Sequence, residues 1–469
     1  MVHSSPLPEI ALPGTTIDRM VPRDALPAIT EIDTGRTVTY AELAELSGAA
    51  AARLRARGVG PGSVVELRFA NSIDFAVALL AVARTGAASC LIGHSLIDAE
   101  ASHLSALAQT THRVESADLA PGPAGGWAPA DPDAVAVIPF SSGTTGLPKG
   151  VELTHRSITA NAAQFNAALS ASGIGEGTRV AAPLPFSHIY GLNTLLLSSL
   201  AARRHVFTAA RFDLAEFARA HREHAIELSF IAPPIALALA NSPAVDPADF
   251  AACAHMVCGA APLDEALARR VEEHLGATML QGYGTTESSP VTHVGIAGKS
   301  NPGTIGFALP NTQFRVVDLD TGAELPDGAA GELHVRGPQV MRGYVRNPEA
   351  TRNAIQDGWL RTGDIARVNP DTTVTVVDRA KDVFKYHGFQ IAPAELEALL
   401  LGHPQITDVA VAERGGVAKA FVVKQGPLSD TDVMEWVAAR VAAYKKVRAV
   451  AFVDAIPRNA AGKILRKDL

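Results

Sequence analysis

An apolar block, Ala134-Val135-Ala136-Val137-Ile138, runs straight into Pro139-Phe140-Ser141-Ser142-Gly143-Thr144-Thr145-Gly146-Leu147-Pro148-Lys149-Gly150, and a second block resumes at Val151-Glu152-Leu153. Five consecutive apolar residues read as a buried strand, and the second block as the strand that returns from the loop. From Ser141 to Gly150 the connection carries four hydroxyls, three glycines and one lysine. Glycines let the backbone turn its N–H groups inward, and hydroxyls and an ammonium add donors, so such a loop suits a polyphosphate. It is not the P-loop, because no Ser or Thr follows Lys149, and no G-x-G-x-x-G is present.

Around this loop the chain alternates helix and strand signals. Thr39-Tyr40-Ala41-Glu42 has the form of a capping box. Leu43, Leu46, Ala50 and Leu54 then share one helical face, which Gly58 ends. A strand is expected over 63–69 and a buried helix over 73–82, and Thr154 caps a helix reaching about Leu169. Residues 120–132 read as a Pro/Gly/Ala-rich loop. Alternating strands and helices mark an α/β chain. Pro183-Leu184-Pro185-Phe186-Ser187-His188-Ile189-Tyr190-Gly191-Leu192 is a shaped loop opening into an apolar helix over 195–200. Two strand ends break into small residues, Cys258-Gly259-Ala260-Ala261 and Gln281-Gly282-Tyr283-Gly284-Thr285-Thr286-Glu287, and so admit a flat ligand close to the backbone. A strand follows at Gly331–Gly337, then Gly358 to Asp364, then Val377-Asp378-Arg379-Ala380-Lys381-Asp382, a charged cluster expected to be a solvated link and hinge. Helices over 393–401 and 430–447, with strands over 406–412, 421–424 and 449–453, make a small α+β unit at the C-terminal end.

With 469 residues and 47 % hydrophobic content the chain has ample core for several domains. A net charge of −7, with no basic run interleaved with aromatics, argues against a nucleic-acid partner. Cys90, Cys253 and Cys258 share no metal-ligand spacing, and Cys253 and Cys258 read as small core residues of a reducing compartment. The longest apolar run, 75–83, is half of a membrane span, and residues 1–10 lack the pattern of a signal peptide. The expectation is a soluble cytoplasmic protein with no membrane partner, monomeric or homodimeric.

Taken in order, the phosphate loop, the two small-residue strand ends and the Gly462-Lys463 ending resemble the adenylate-forming enzymes: acyl-CoA synthetases, adenylation domains and beetle luciferase. Lys385-Tyr386-His387-Gly388-Phe389-Gln390-Ile391 and Phe452-Val453-Asp454-Ala455-Ile456-Pro457 resemble the coumarate/cinnamate-type CoA ligases in particular. The resemblance implies a large N-terminal adenylation domain of β-sheets flanked by helices, residues 1–380, and a small mobile α+β C-terminal lid domain, residues 381–469, hinged at Lys381. It implies activation of a carboxylic acid by ATP and Mg²⁺ to an acyl adenylate and transfer to CoA, with release of AMP and pyrophosphate. A carrier-protein phosphopantetheine, an amine or a nitrogen-oxide nucleophile remain alternative acceptors.

By position, the resemblance puts ATP on Ser141, Ser142, Gly143, Thr144, Thr145, Gly146 and Lys149, on Gln281, Gly282, Tyr283 and Thr286, and on Asp364, Arg379, Lys381 and Lys463. Glu287 would hold the magnesium and Asp364 the ribose hydroxyls, with Arg379 donating nearby. Lys463 would be the catalytic cation, stabilising charge on the α-phosphate and the departing pyrophosphate. Lys385 and Gln390 belong to the adenylate and thioester-forming site, and His188 gates the acyl pocket. That pocket would be His188, Ile189, Tyr190, Thr194, Gly259, Ala260, Gly282, Pro290 and Val291, with room left at Gly259 and Gly282 for a planar aromatic acid. Arg211, His387 and Gly388 would meet CoA. Position 387, a lysine in most such ligases, is histidine here, and position 187, usually aromatic, is serine.

Overall fold

The computed structural model describes residues 1–129, 131–141, 148–380, 382, 384–386, 389–458 and 464–469, with the side chains of Lys385, Phe389, Gln390 and Lys467 left out. The two blocks that flank the loop form strands Val135–Ile138 and Lys149–Thr154, paired antiparallel. They belong to a sheet ordered Gly343–Tyr344, Lys149–Thr154, Val135–Ile138, Ala88–Leu91, Val64–Leu67, His112–Arg113, with Phe140–Ser141 pairing the Lys149 strand.

A larger sheet is ordered Phe307–Ala308, Val291–Val294, Thr278–Gly284, His255–Cys258, Leu228–Ile231, Arg179–Ala181, His205–Thr208, Pro27–Glu31, Thr37–Thr39. From Thr278–Gly284 to Pro27–Glu31 its strands are parallel. Parallel strands are covered on both faces, which is why Leu228–Ile231 is wholly buried. Cys258 ends its strand opposite Gln281, so Gly259 follows beside Gly282 on one edge. A third sheet is antiparallel and carries Gln313–Val317, Gly331–Arg336, Trp359–Val368 and Val374–Arg379.

Helix Ile73–Thr85 buries every residue except Asp74. A helix apolar all round belongs in an interior, and its core includes side chains from all three sheets. Ser72 caps its start, and Gly86 ends it at φ 82°, a left-handed turn that glycine adopts without strain. Among the described residues no helix is long and apolar enough to cross a membrane. The capping box at Thr39 and Glu42 and the cap at Thr154 are both present, on helices Tyr40–Ala56 and His155–Ser170.

Three local expectations are corrected. The apolar helix begins at Tyr190 rather than Leu195, and residues 190–197 are wound as a π-helix before Ser198–Ala201. Gly191 lets this early start happen, because a Cβ there would stand 2.1 Å from the Pro185 carbonyl oxygen. The C-terminal helix stops at Ala438, not 447: Arg440 folds back to donate to the Trp436 carbonyl at 3.0 Å and lies over its ring, and the chain then turns toward strand Ala449–Phe452. Residues 377–379 are not a solvated link but the end of strand Val374–Arg379, and Asp378 is buried. Asp378 accepts from the backbone N–H groups of Arg379 and, at 2.9 Å, of Ala394. That second bond joins the third sheet to helix Pro393–Leu401.

The C-terminal part has its own core, with Leu396, Leu400, Val409, Val411, Val422, Val433 and Val437 closing between two helices and strands Ile406–Arg414, Val417–Lys424 and Ala449–Phe452. This is the mixed α/β architecture expected, a large sheet region followed by a small α+β unit.

Candidate active site

The site is assembled from strand ends of different sheets. Lys149 opens the strand that leaves the Ser/Gly/Thr-rich loop, and Ser141 pairs with it across the ladder. The Ser141 hydroxyl oxygen is buried and has no hydrogen-bond partner among the described residues. An unpaired buried hydroxyl costs free energy unless a ligand completes it, so this atom fits a phosphate oxygen. Ser142, Gly143, Thr144, Thr145 and Gly146 lie outside the described residues.

Across from the loop, Thr286–Ser288 forms one tight turn after strand Thr278–Gly284. Gly284 is required there, since a Cβ would stand 1.8 Å from the Pro290 carbonyl oxygen. The turn carries Thr286 and Glu287. One Glu287 carboxylate oxygen accepts from the Tyr344 hydroxyl at 2.9 Å, and the Tyr344 ring faces Lys149, whose ammonium lies 5.0 Å from its centroid. Burial, and then Glu287, push the Tyr344 phenol up, so it stays protonated and donates. Among the described residues no group of three or more His, Cys, Asp or Glu could hold a metal. A lone carboxylate beside a phosphate cradle fits Mg²⁺, which takes one or two carboxylates and completes its shell with phosphate and water.

Four residues before Glu287, Tyr283 donates to Asp364 Oδ2 at 2.6 Å, and Arg379 Nε stands 3.2 Å from Asp364 Oδ1. Asp364 and Arg379 face each other directly on neighbouring antiparallel strands, and Asp364 is 4 % exposed. Burial first, and Asp364 next, raise the Tyr283 phenol, so the proton stays on oxygen. Behind Asp364, Glu332 accepts from the Gly363 N–H at 3.2 Å and from Arg361 at 2.8 Å, pinning the Thr362-Gly363-Asp364 bend. The Gln281 side-chain amide is already engaged, donating to the Leu263 and Pro302 carbonyls at 3.1 and 2.5 Å.

Beside the Gly259 edge, His188 accepts the Tyr190 N–H on Nδ1 at 3.3 Å, which leaves the proton on Nε2, and burial lowers its pKa. Ile189 and Thr194 are buried, and the Thr194 hydroxyl has no partner among the described residues. The room expected at Gly259 is taken: a Cβ there would be 2.9 Å from Cζ of Tyr190, whose hydroxyl donates to the Val257 carbonyl at 3.1 Å. Gly282 does stay open: among the described residues only Val257 Cγ1 is within contact distance, at 3.5 Å. Ala260 turns the chain at φ 71°, strained for a residue with a Cβ.

Two buried amides that sequence reasoning missed fix the backbone of residues 289–291. Asn161 donates to the Val291 carbonyl at 2.7 Å and accepts its N–H at 3.1 Å, while Asn193 donates to the Ser289 carbonyl at 2.5 Å. They hold Pro290 and Val291 in place from two different helices. No local pattern distinguishes such an asparagine from a surface one. Tyr344 was missed for the same reason.

Arg211 is exposed beyond strand His205–Thr208. The backbone of Lys385 and Gln390 lies in the short hairpin Phe384–Tyr386 and Phe389–Ile391, paired with each other. Their side chains, and Lys381, His387, Gly388 and Lys463, lie outside the described residues. Three positions beyond Lys463, Arg466 donates to both Glu397 oxygens and approaches Asp382 at 3.2 Å, so that segment is tied to helix Pro393–Leu401.

The family profile of AMP-binding enzymes matches residues 19–121 and 109–345, and that of the AMP-binding enzyme C-terminal domain matches residues 395–463. The chain belongs to the AMP-binding enzymes. Among curated relatives, this AMP-binding enzyme is 37 % identical to 4-coumarate–CoA ligase 3 of Oryza sativa subsp. japonica, over all of this chain and 94 % of the other. Among solved structures it resembles ATP-bound MatB from Rhodopseudomonas palustris, with TM-score 0.88 and 26 % identity over 96 % of this chain and 97 % of that one. It also resembles the amide bond synthetase McbA from Marinactinospora thermotolerans, with TM-score 0.85 and 26 % identity over 96 % of this chain and 98 % of that one. The kinship read from the sequence is thereby borne out.

Proposed function

We propose that this enzyme joins a carboxylic acid to CoA through an acyl adenylate, and that the acid is small and planar, of the cinnamate or coumarate kind. One observation carries the adenylation reading: two trios of paired groups, Arg379–Asp364–Tyr283 and Glu287–Tyr344–Lys149, with the Ser141 hydroxyl, unpaired among the described residues, on the strand beside Lys149. Its two ends offer what the two ends of ATP need, a carboxylate for ribose hydroxyls and donors for phosphates.

In the first step a carboxylate oxygen of the acid attacks the α-phosphorus and the bond to pyrophosphate breaks. Lys149, Ser141 and Thr286 bind the phosphates, and Lys463 supplies positive charge where the α-phosphate and pyrophosphate gain negative charge. Mg²⁺ at Glu287 would neutralise phosphate charge. Neutral His188 beside Ile189 and Tyr190 lines the acid's entrance, and Gly282 leaves space for a flat ring. In the second step residues 381–469 turn about Lys381, bringing Lys385 and Gln390 to the adenylate. The CoA thiolate attacks the acyl carbon and AMP leaves with the bond electrons. Arg211, His387 and Gly388 meet the CoA. The resemblance to 4-coumarate–CoA ligases supports this acceptor, whereas the McbA likeness supports an amine.

The test is pyrophosphate release over a panel of acids, with CoA, with amines and with neither. Release that requires a planar aromatic acid, with thioester made when CoA is added, is expected. A preference for long aliphatic acids refutes the acid assignment. Adenylate formed without any thioester, and amide formed instead, refutes the CoA assignment.

A further inference from the structure

Between the proposed metal carboxylate and the phosphate-loop lysine stands a side chain that neither role employs. Tyr344 directs its hydroxyl to Glu287 Oε1 at 2.9 Å and its ring face to the Lys149 ammonium, 5.0 Å from the centroid. Both contacts are of attractive sign: a hydrogen bond to an ionised acceptor is stronger than a neutral one, and an ammonium within about 6 Å of a ring centroid is drawn to the π face.

The backbone around Tyr344 is held to both sites. Met341 N–H donates to the Glu287 carbonyl at 2.8 Å, Arg342 N–H to the Glu152 carbonyl at 2.9 Å, and Val345 N–H to the Gly150 carbonyl at 2.9 Å. Five residues thus splint the turn that carries Glu287 to the strand that starts at Lys149. Tyr344 pairs across the ladder with Val151, and its own N–H is held by Thr351 Oγ1 at 2.9 Å.

A carboxylate and an ammonium in direct contact would form an ion pair and leave fewer charges for ligand. A neutral phenol between them gives each a partner while cancelling neither charge. We infer that Tyr344 is a positioning residue that orients Glu287 for the metal through its hydroxyl and Lys149 for the phosphates through its ring. This rests on the assignment of metal to Glu287 and phosphate to Lys149 made above.

The two halves of Tyr344 can be removed separately. Tyr344→Phe deletes the hydroxyl and keeps the ring, and Tyr344→Leu deletes both. The probe is Mn²⁺, titrated by electron paramagnetic resonance against the whole enzyme with α,β-methylene-ATP, and metal-free nucleotide binding is measured in parallel by calorimetry. Tyr344→Phe should weaken Mn²⁺ about tenfold, equivalent to about 1.4 kcal/mol, and leave metal-free nucleotide affinity within about twofold. Tyr344→Leu should weaken both, the nucleotide by about threefold or more, as expected for loss of a cation–π contact. Wild-type Mn²⁺ affinity in Tyr344→Phe overturns the proposal. Equal loss of both affinities in Tyr344→Phe also overturns it, since that marks a packing role. Glu287→Gln separates the two levels. If it abolishes Mn²⁺ binding while Tyr344→Phe does not, Tyr344 alone is misassigned. If it binds Mn²⁺ as wild type does, the metal reading of Glu287 fails and the Tyr344 proposal with it.

Discussion

Replacing Gly259 by alanine tests whether Tyr190 occupies the place the structure gives it. The added Cβ would stand 2.9 Å from Cζ, 3.1 Å from Oη and 3.2 Å from Cε1 of Tyr190. Carbon atoms in contact prefer about 3.5–4.0 Å, so the ring must back away by at least half an ångström, about the shortfall in that spacing. It has little freedom to do so, being 7 % exposed and tied to the Val257 carbonyl at 3.1 Å. Overpacking of this kind costs about 1–3 kcal/mol, and a buried hydroxyl left unpaired about 1–3 kcal/mol. The two overlap, because moving the ring relieves one and causes the other, so a loss of about 2–3 kcal/mol is expected. Tyr190→Phe should cost about 1 kcal/mol alone, the ordinary net worth of one hydrogen bond. In Gly259→Ala combined with Tyr190→Phe the freed ring can slide, and the total should fall short of the sum by about 1 kcal/mol, as for residues in direct contact. Midpoints of the calorimetric transition compare the variants, since a chain of several domains does not unfold as a two-state system. In the same proteins KM for the acid should rise and KM for ATP should not. A wild-type midpoint and acid KM in Gly259→Ala, or strictly additive losses, would refute the placement of the ring.

Asn161→Leu should destabilise by about 2–4 kcal/mol, because the Val291 N–H and carbonyl both lose a buried partner, and should raise KM for the acid more than for ATP; equal changes in the two constants would count against a role at the acid wall. Lys463→Ala should abolish acid-dependent pyrophosphate exchange but leave thioester formation from a supplied acyl adenylate, whereas Gln390→Ala should impair mainly the thioester step; normal exchange in Lys463→Ala defeats the assignment. Burial pushes His155 and His221 down to about 4 and His293 to about 3. At pH values between the unfolded histidine's ~6.5 and these, the unfolded chain binds protons the folded chain refuses, so the stability they contribute is present above ~6.5 and is lost as pH falls toward 4. Thermal midpoints measured over that range should fall, and a flat profile would contradict the burial of these rings.

The strand–loop–strand around Ser141 and Lys149, the caps at Thr39 and Thr154, the buried helix Ile73–Thr85 and the small-residue strand ends were legible because each depends on neighbours a few positions away. Periodicity, cap chemistry and glycine placement are local, and adjacent residues state them directly. The succession of these motifs was enough to name the family. Other features depend on which distant strands become neighbours. The Tyr283–Asp364 and Glu287–Tyr344 bonds span 81 and 57 positions, and Asn161 reaches Val291 across 130. Gly259 reads as open space until Tyr190, 69 positions earlier in number, is packed on it. Gln281 reads as a ligand contact until its amide is seen bonded to two carbonyls, and the charged residues 377–379 read as exposed until strand pairing buries Asp378. Sequence by itself therefore determined most of the elements, the family and the residue types gathered at the candidate site. Only the tertiary structure decided which side chains are already engaged and which remain to meet a ligand, because hydrogen bonding and burial are properties of pairs that the fold, not the chain order, brings together.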